Sequence, residues 1–437
     1  MKILLVNPPV SDAMGDLRLL SIGLCHLARI AEDAGHRVEI LDAGIRGMTA
    51  DRLIAWVQAR GGFDIIGVTI TTPALPSATQ FARGVRSSTR WLIEGGAHIS
   101  AMVREGGREP SPGFDIAFPG EADRSFAAFL PWAASAAPGQ LPPAGIRDGM
   151  LISGCPFRPA PPLPGECISR PAWHLLDPAG SSYPLAFGRP AMPMFTSRGC
   201  PFSCLFCDHS VFGHTVRYYP LESLQADLEE VASRGVRYVI FFDDHFSLDH
   251  ERLRAICQFL IQKNLGLAWK CEGRAGSFTP ELLRLMRRAG CECIAMGIES
   301  GNQPSLDFLR KGTTIAQIRE AASMIRASGI RLLGYFILGI PGETWRQAMH
   351  TVAFAHEIGC DYAQFSLLSP YPGTPLAALA RKRGWLAESR QGNPYDALAP
   401  RPVIAAPPWT PERLERLIRA AHLKFYASPA YLLRRLR

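Results

Sequence analysis

The sequence predicts an α/β protein with an N-terminal doubly wound, Rossmann-like domain, a complete or partial barrel, and a small helical C-terminal tail. Three observations lead to this prediction. Short apolar runs alternate with helical patterns through residues 1–135, a second series of the same kind begins near residue 192, and a segment rich in Pro, Ala and Gly separates the two. Such alternation is typical of parallel sheets that helices cover or close into a barrel.

The first series contains five strand candidates and predicts an open sheet. They are apolar runs bounded by turn residues, at 2–6, 37–41, 64–70, 91–94 and 115–118. A helical pattern over residues 19–34 stops at Gly35. Ligands of doubly wound sheets bind at the loops that follow the strands. Those loops carry polar residues or glycines here, at 7–9, 71–72, 95–98 and 120–121.

The second series predicts the barrel. Strand candidates lie at 192–196, 238–242, 268–271, 293–297, 332–338 and 362–367, and helix candidates at 221–234, 249–263, 280–289, 315–328 and 344–358. Five or six strand–helix units place the chemistry at the carboxyl ends of the barrel strands. Residues 410–437 form a basic helical pattern. The predicted domains are therefore 1–135, 191–390 and 391–437, with residues 136–190 as an irregular connection.

Composition and charge exclude several classes of protein. Of the 437 residues, 47% are hydrophobic, which excludes wholesale disorder. No apolar run reaches the roughly 20 residues of a membrane helix, and the first residues lack the apolar stretch of a signal peptide. We therefore expect a cytoplasmic protein without a membrane partner. The net charge of +8 comes mostly from Arg scattered among acids, with the densest cluster at 434–437, so no nucleic-acid partner is predicted.

Three of the eleven cysteines carry the strongest chemical signal. Cys200, Cys204 and Cys207, the cysteine triad, form a C-x3-C-x2-C pattern just after the first barrel strand. Three thiolates on one short loop can bind three irons of a [4Fe–4S] cluster and leave the fourth iron open. A structural zinc site and chance spacing remain as alternatives, although zinc too would lack a nearby fourth ligand.

With this triad the sequence resembles the radical S-adenosylmethionine (SAM) superfamily over residues 192–386. The resemblance implies a partial (β/α)6 barrel whose open iron binds the amino and carboxylate groups of SAM. One electron from the cluster then cleaves a C–S bond of SAM, normally giving a 5′-deoxyadenosyl radical. Phe206 matches an aromatic residue that packs near the adenine in relatives, and a core phenylalanine is the alternative interpretation.

The resemblance also implies SAM contacts at successive strand ends. Asp243 and Asp244 occupy the place of the family's ligands for the SAM ammonium, although the usual Gly-Gly-Glu is absent. Glu272 and Arg274 match residues for the ribose hydroxyls and the SAM carboxylate, with an ordinary salt bridge as the alternative. We also regard His245, Trp269 and Tyr335 as residues worth testing for substrate contact.

Two further segments complete the resemblance in the barrel. Glu299 and Ser300, in Gly-Ile-Glu-Ser-Gly, match a segment at the ribose and carboxylate of SAM, and a structural role is the alternative. Gly339 lies on a strand that resembles the family's glycine-bearing strand beside the adenine, where the backbone makes the contact. Glu343 and Thr344, which follow it, are interpreted as the start of the next helix.

The N-terminal domain resembles the cobalamin-binding type that precedes the barrel in one subgroup of the family. The subgroup includes cobalamin-dependent methylases and anaerobic porphyrin ring cyclases. The matching segments are 7–9, 95–98 and 118–121. The D-x-H-x-x-G motif that supplies a lower cobalt ligand in cobalamin mutases is absent, and His26, His36 and His98 are the histidines of this region. Cobalamin is therefore a candidate third cofactor beside the [4Fe–4S] cluster and SAM.

Our first functional hypothesis is a cobalamin-dependent methylase that functionalises an unactivated carbon of a small or medium metabolite. A cobalamin-free radical SAM dehydratase, cyclase, rearrangement enzyme or transferase of another SAM fragment is the alternative, and a non-catalytic cobalamin or cluster sensor is a minor one. An external electron donor such as flavodoxin or ferredoxin is the expected protein partner. Neither substrate identity nor oligomeric state can be deduced from the sequence.

Overall fold

The computed structural model describes residues 1–10, 20–137, 139–181, 183–386, 403–429 and 431–432. The chain divides into two compact units, which are Met1–Cys200 with Asp208–Val236, and Pro201–Cys207 with Arg237–Arg437. Some predicted features lie outside the described residues. These are the start of the helix predicted from residue 19, the predicted boundary at 390/391 and the arginine cluster at 434–437.

The first unit contains the predicted doubly wound sheet. Its strands are β1 (Lys2–Asn7), β2 (Arg37–Asp42), β3 (Phe63–Thr69), β4 (Thr89–Gly95) and β5 (Ile116–Phe118). All neighbouring strands pair in parallel, in the order β2-β1-β3-β4-β5. Because the order reverses at β1, the loops after β1 and β3 diverge at the carboxyl edge, which is where open α/β sheets bind ligands.

Helices cover both faces of this sheet. They are α1 (Ile22–Asp33), α2 (Ala50–Arg60), α3 (Leu75–Val85), α4 (Ala97–Arg104) and α5 (Asp123–Ser135). Alternate β1 residues enter different cores, since Leu5 packs with α1 and α5 whereas Leu4 packs with α2 and α3. Burial on both faces explains why the strands read as continuous apolar runs.

The rest of the first unit is mostly irregular, as predicted for residues 136–190. Single 3₁₀ turns interrupt this connection, and β6 (Ala191–Met194), β7 (Ser197–Arg198), β8 (Arg217–Tyr218) and α6 (Leu221–Ser233) follow it. β7 and β8 pair antiparallel. Arg170 of the connection donates from Nε to Asp227 of α6 at 2.7 Å, and the buried Trp173 indole donates to the same carboxylate at 2.9 Å.

The second unit repeats strand and helix as predicted for a partial barrel. Its strands are β9 (Tyr238–Phe241), β10 (Ala268–Gly273), β11 (Cys291–Glu299), β12 (Arg331–Leu338) and β13 (Tyr362–Leu367), parallel and in sequence order. β11 begins two residues earlier than predicted. Glu292 interrupts the apolar run there, but it pairs with Arg331 of the neighbouring strand at 2.7 Å and so belongs to the sheet.

Helices separate these strands. They are α7 (His250–Lys263), α8 (Pro280–Arg288), α9 (Gln303–Phe308), α10 (Ile315–Ala327), α11 (Trp345–Glu357), α12 (Pro375–Arg383) and α13 (Pro411–Tyr426). Thr344 caps α11 through a capping box with Gln347, so this helix starts where predicted. The tail is helical as expected, and Tyr426 of α13 binds the backbone of Ala363 in β13. In the described part of the chain, no helix is both long and apolar enough to cross a membrane.

Candidate functional site

The first cysteine of the triad follows a glycine that no other residue can replace without strain. Gly199 adopts φ +93°, and a Cβ there would lie 2.3 Å from the carbonyl oxygen of Thr215. The N–H of Cys200 donates to the carbonyl of Gly213 at 3.3 Å. The returning strand pair β7–β8 therefore determines where the Cys200 backbone lies in the first unit.

The other two cysteines belong to the second unit and are held by its loops. Leu205, between them, exchanges backbone hydrogen bonds with Leu309 and Leu376, each at 2.9 Å. The Cys204 thiol is buried, and Nη1 of Arg274 lies 3.8 Å from its sulfur, which places a permanent positive charge beside a prospective thiolate. Across the described residues, no three His, Cys, Asp or Glu side chains converge closely enough to hold one metal ion. A [4Fe–4S] cluster does not need such convergence, because each thiolate binds a different iron.

Arg274 lies at the centre of a group of cationic and aromatic side chains, the cationic wall, which also includes Phe202, His245 and Lys311. Its guanidinium lies 3.9 Å from the ring centroid of Phe202, and Phe202 stacks on His245 with centroids 5.5 Å apart. Burial, together with the charges of Arg274 and Lys311, lowers the pKa of His245 to about 4. The imidazole is therefore neutral near pH 7. Its Nδ1 is buried without a hydrogen-bond partner, as expected of a group that awaits a ligand.

Glu299 lies on a bulge at the end of β11 and pairs with Lys311. The two side chains are 7% and 9% exposed and 2.7 Å apart. The pair needs Gly297, because a Cβ there would lie 2.6 Å from both Glu299 Oε1 and Lys311 Nζ. Glu299 itself has φ +64°, an uncommon backbone conformation for a residue other than glycine. Two residues after Lys311, the buried Oγ1 of Thr313 has no hydrogen-bond partner.

The remaining predicted contacts of SAM with polar residues fall into different environments. Asp243 is fully buried and Asp244 is exposed, so the two carboxylates do not share one environment. Glu272 accepts a close hydrogen bond from the buried ammonium of Lys270 and one from the Tyr335 hydroxyl at 3.4 Å. Trp269 is fully buried and donates to the backbone of Ala289, which is a core environment.

Ser300 lies directly after Glu299 and is fully buried. Its hydroxyl lies 3.1 Å from that of Thr351 on α11 and accepts from the N–H of Asn302 at 3.1 Å. These bonds attach the loop after β11 to a helix, so they stabilise the strand end on which Glu299 lies.

The predicted adenine neighbourhood lies at the end of β12. Phe206 packs, partly buried, against an apolar cluster that includes Ile340, the residue after Gly339. Gly339 has φ +78°, and its N–H and that of Ile340 donate to Oε2 of Glu343 at 3.1 and 3.3 Å. Burial raises the pKa of Glu343 to about 7. The missing Cβ of Gly339 faces Leu414 of α13, which would lie 2.3 Å from it.

A cavity of about 140 Å³ opens at the carboxyl edge of the first unit's sheet. Its walls include the last residues of β3, β4 and β5 and four glycines from these strands and their loops, Gly67, Gly95, Gly96 and Gly120. The other lining side chains are mostly apolar, from α1, α5 and the segment before the triad. The mostly apolar lining suits a partly apolar organic ligand.

The three histidines of the predicted N-terminal domain, His26, His36 and His98, are already bonded. His26 is the histidine among the described lining residues, and its Nδ1 lies 2.7 Å from the carbonyl oxygen of Ser169 while its Nε2 lies 3.5 Å from the Tyr219 hydroxyl. His98 contacts Thr72, and His36 contacts the N-terminal amine. Within the described cavity wall, no imidazole is therefore oriented to coordinate a ligand's metal.

Two residues of this geometry, Lys311 and Thr313, were not predicted. They lie on the short loop between α9 and α10, and α9 itself was not predicted. The sequence feature that could have indicated them is the polar Arg-Lys-Gly-Thr segment that follows Gly-Ile-Glu-Ser-Gly. That Lys311 lies beside Glu299 and near His245 is apparent only in the folded structure.

Profiles of two known families match the chain. The radical SAM superfamily matches residues 194–355, and the B12 binding domain matches residues 16–130. The two matches correspond to the barrel strands with the triad and to the sheet with the cavity.

Individual proteins agree with these matches. The chain is 30% identical to "Uncharacterized methyltransferase PH0819" of Pyrococcus horikoshii, over 99% of this chain and 94% of that protein. It is 28% identical to the anaerobic magnesium-protoporphyrin IX monomethyl ester cyclase of Rubrivivax gelatinosus, over 72% of this chain and 58% of that one. Its fold resembles that of the radical SAM methyltransferase TsrM from Kitasatospora setae, solved with cobalamin and a [4Fe–4S] cluster bound. The TM-score is 0.68 at 19% identity, over 90% of this chain and 76% of that one.

Proposed function

Because the chain belongs to the radical SAM superfamily and carries a B12 binding domain before its radical SAM domain, we propose that it is a cobalamin-dependent methyltransferase acting on a small molecule. The observation that carries the methyltransferase assignment is the mostly apolar cavity at the carboxyl edge of the first unit's sheet. A radical SAM enzyme without cobalamin has no evident use for it. When bound, the cluster, SAM and cobalamin together supply hydrogen abstraction from an unactivated carbon and a methyl group for that carbon.

The triad fits a [4Fe–4S] cluster by its chemistry. Three cysteines are the donor set of a cluster with one open iron. Arg274 beside Cys204 favours the thiolate over the thiol there, since a nearby positive charge lowers the cost of deprotonation. We assign Cys200, Cys204 and Cys207 as the cluster ligands.

The cationic wall fits the carboxylate of SAM. Arg274 and Lys311 provide the positive charge, and the neutral His245 adds an unpartnered nitrogen without adding charge. Glu272 and Glu299 provide carboxylates for the ribose hydroxyls, and Asp243 or Asp244 for the ammonium. Phe206 and the backbone at Gly339 take the adenine. Ser300 acts in this proposal as a positioning residue for Glu299.

The residues of the cavity would hold cobalamin through its mostly apolar wall and the strand ends that line it. His26 is already engaged on both ring nitrogens, so it would not serve as a metal ligand. This chain's residues would then bind and orient the cofactor, and exclude water from its apolar edge.

An alternative function is ring closure by a related radical reaction, and the similarity to the cyclase of Rubrivivax gelatinosus favours it. The similarity to radical SAM methyltransferases favours an enzyme over a non-catalytic sensor. We further propose residues 1–135 as the cobalamin-binding domain, 136–190 as the connection, 191–390 as the radical SAM domain and 391–437 as its helical extension. A flavodoxin or ferredoxin as electron donor and a cytoplasmic location belong to the same proposal, since reduced clusters need a reducing compartment.

Anaerobic purification with hydroxocobalamin present, followed by iron and corrinoid analysis, tests the proposal. We expect about four irons and stoichiometric corrinoid per chain. Gly23 is an exposed residue of the cavity lining and a Cβ there meets no atom within 4 Å, so Gly23→Leu adds a side chain at the cavity without a clash. This variant should lose corrinoid and keep iron. Gly145→Leu, at an exposed glycine of the same unit outside the cavity wall, is the matched control and should keep both. Wild-type protein that contains iron but no corrinoid would contradict the cobalamin-dependent function and would indicate radical SAM chemistry without cobalamin.

A further inference from the structure

The wall of the cavity in the first unit carries a buried cluster of ion pairs. Arg198 donates to both carboxylate oxygens of Asp123, at 2.9 and 3.2 Å, and to Glu121 at 3.1 Å. Arg217 donates to both oxygens of Glu121. These four residues, the Arg198 cluster, are at most 10% exposed. Three of them, Arg198, Glu121 and Asp123, line the cavity directly.

The same arginine lies two residues before the first cysteine of the triad. Arg198 is the last residue of β7 and pairs with Arg217 of β8, so two members of the cluster are opposite each other on one ladder. Cys200 follows through Gly199, which has no room for a side chain against Thr215. Only one tightly packed residue therefore separates Arg198 from Cys200.

Little freedom is left to the Arg198 side chain. Besides its two carboxylates, its Nε donates to the Tyr219 hydroxyl at 3.0 Å, and its guanidinium lies 5.4 Å from the ring centroid of Phe212, another cavity residue. A guanidinium held on three sides follows its partners when they shift, because its planar donor set must keep its geometry.

Buried ion pairs are a costly way to stabilise a fold. Apolar residues of the same volume often stabilise an interior at least as well, so stability alone does not explain charges at such a site. Here the charges connect the segment after β5, which forms the cavity wall, to the strand that leads to Cys200. The ion pairs therefore fix the position of the cavity wall relative to Cys200.

We propose that the Arg198 cluster couples occupancy of the cavity to the position of Cys200, with Arg198 as a positioning residue. A corrinoid in the cavity contacts the wall formed by Glu121 and Asp123, and Arg198 transmits the resulting adjustment to the cluster loop. By reciprocity, the assembled iron–sulfur cluster then raises the affinity of the cavity for the corrinoid. This inference depends on the proposed function, because it requires that both cofactors bind.

The test compares the dissociation constant of hydroxocobalamin for the full-length protein with its cluster and after anaerobic removal of iron by a chelator. We expect wild-type protein to bind the corrinoid about fivefold or more tightly when the cluster is present. In Arg198→Lys, which keeps the charge but not the bidentate geometry, the ratio should fall to about one. Arg170→Lys alters another ion pair of the first unit, away from the cavity wall, and should keep the wild-type ratio.

Glu121→Gln is the second variant, since it keeps side-chain shape and removes the carboxylate that both arginines share. It too should show a ratio of about one, and thermal unfolding verifies that each variant is folded. A wild-type ratio of one with both cofactors bound would overturn the inference and leave the proposed function intact. Retention of the wild-type ratio in the folded variants would overturn it as well. Wild-type protein that binds no corrinoid in either state would instead overturn the proposed function.

Discussion

Replacing Lys311 by methionine is expected to destabilise the second unit and to weaken SAM binding, because it leaves Glu299 charged and unpaired in the interior. The two groups lie 2.7 Å apart and are both less than 10% exposed. Removal of one partner from a buried pair costs about 3–5 kcal/mol. In a unit of this size each kcal/mol lowers the melting temperature by roughly 2–4 °C, so the expected decrease is roughly 6–20 °C.

Differential scanning calorimetry under anaerobic conditions measures the first effect, and equilibrium dialysis with labelled SAM measures the second. Lys311→Arg is the control that keeps the charge, and it should retain most of the stability. The double variant Glu299→Gln/Lys311→Met removes both charges and should recover stability relative to Lys311→Met. It should not recover SAM binding, since both proposed ligands are gone. A melting temperature lowered by less than about 2 °C in Lys311→Met would refute the assignment of this pair as a desolvated ion pair.

Three further predictions address other residues. Replacing the cysteine triad by alanine should abolish iron binding and SAM cleavage together, whereas Cys167→Ala, at an exposed cysteine, should leave both unchanged; 5′-deoxyadenosine formed by the triple variant would contradict the cluster assignment. Acidification below about pH 6.5 should destabilise the first unit by roughly 1.4 kcal/mol per pH unit, because the unfolded chain protonates His26 while the folded chain holds its pKa near 4. Thermal melts of His26→Gln should show a smaller loss between pH 6.5 and 4, and a wild type equally stable at pH 5 and 7 would contradict the reasoning. Glu343→Leu leaves two backbone N–H groups without their acceptor, so it should destabilise the second unit by about 1–3 kcal/mol for each N–H in thermal melts, whereas Glu343→Gln, with one acceptor oxygen, should destabilise it less; equal melting temperatures of the two variants would refute the role of Glu343.

The parts of the molecule that local sequence determines were predictable. Apolar runs revealed the strands because each residue of a strand covered on both faces is buried, as Leu4 and Leu5 of β1 are in their separate cores. The cysteine spacing revealed the triad because its three cysteines lie on one short loop. Lys311 and Arg198 were missed for the opposite reason. The role of each depends on an ion pair with a residue outside its own segment. Lys311 pairs with Glu299 on the other side of a helix, and Arg198 pairs with Asp123, 75 residues away. The periodicity of a sequence does not encode such pairings.

The glycines of the sequence motifs differ in what occupies the space that a side chain would take. A glycine in a motif indicates that something approaches the backbone closely, but the motif does not reveal what approaches. At Gly297 the approaching groups are the protein's own Glu299 and Lys311, and at Gly339 the space of the missing Cβ faces Leu414 of the tail helix. A ligand at Gly339 must therefore approach the peptide from another direction than the Cβ. At Gly23, by contrast, a Cβ meets no atom within 4 Å although the residue lines the cavity. Free space at a glycine that faces a cavity is thus the better indicator of a ligand, which is why the corrinoid assignment should depend on a side chain placed at Gly23 and not on one placed at the motif glycines.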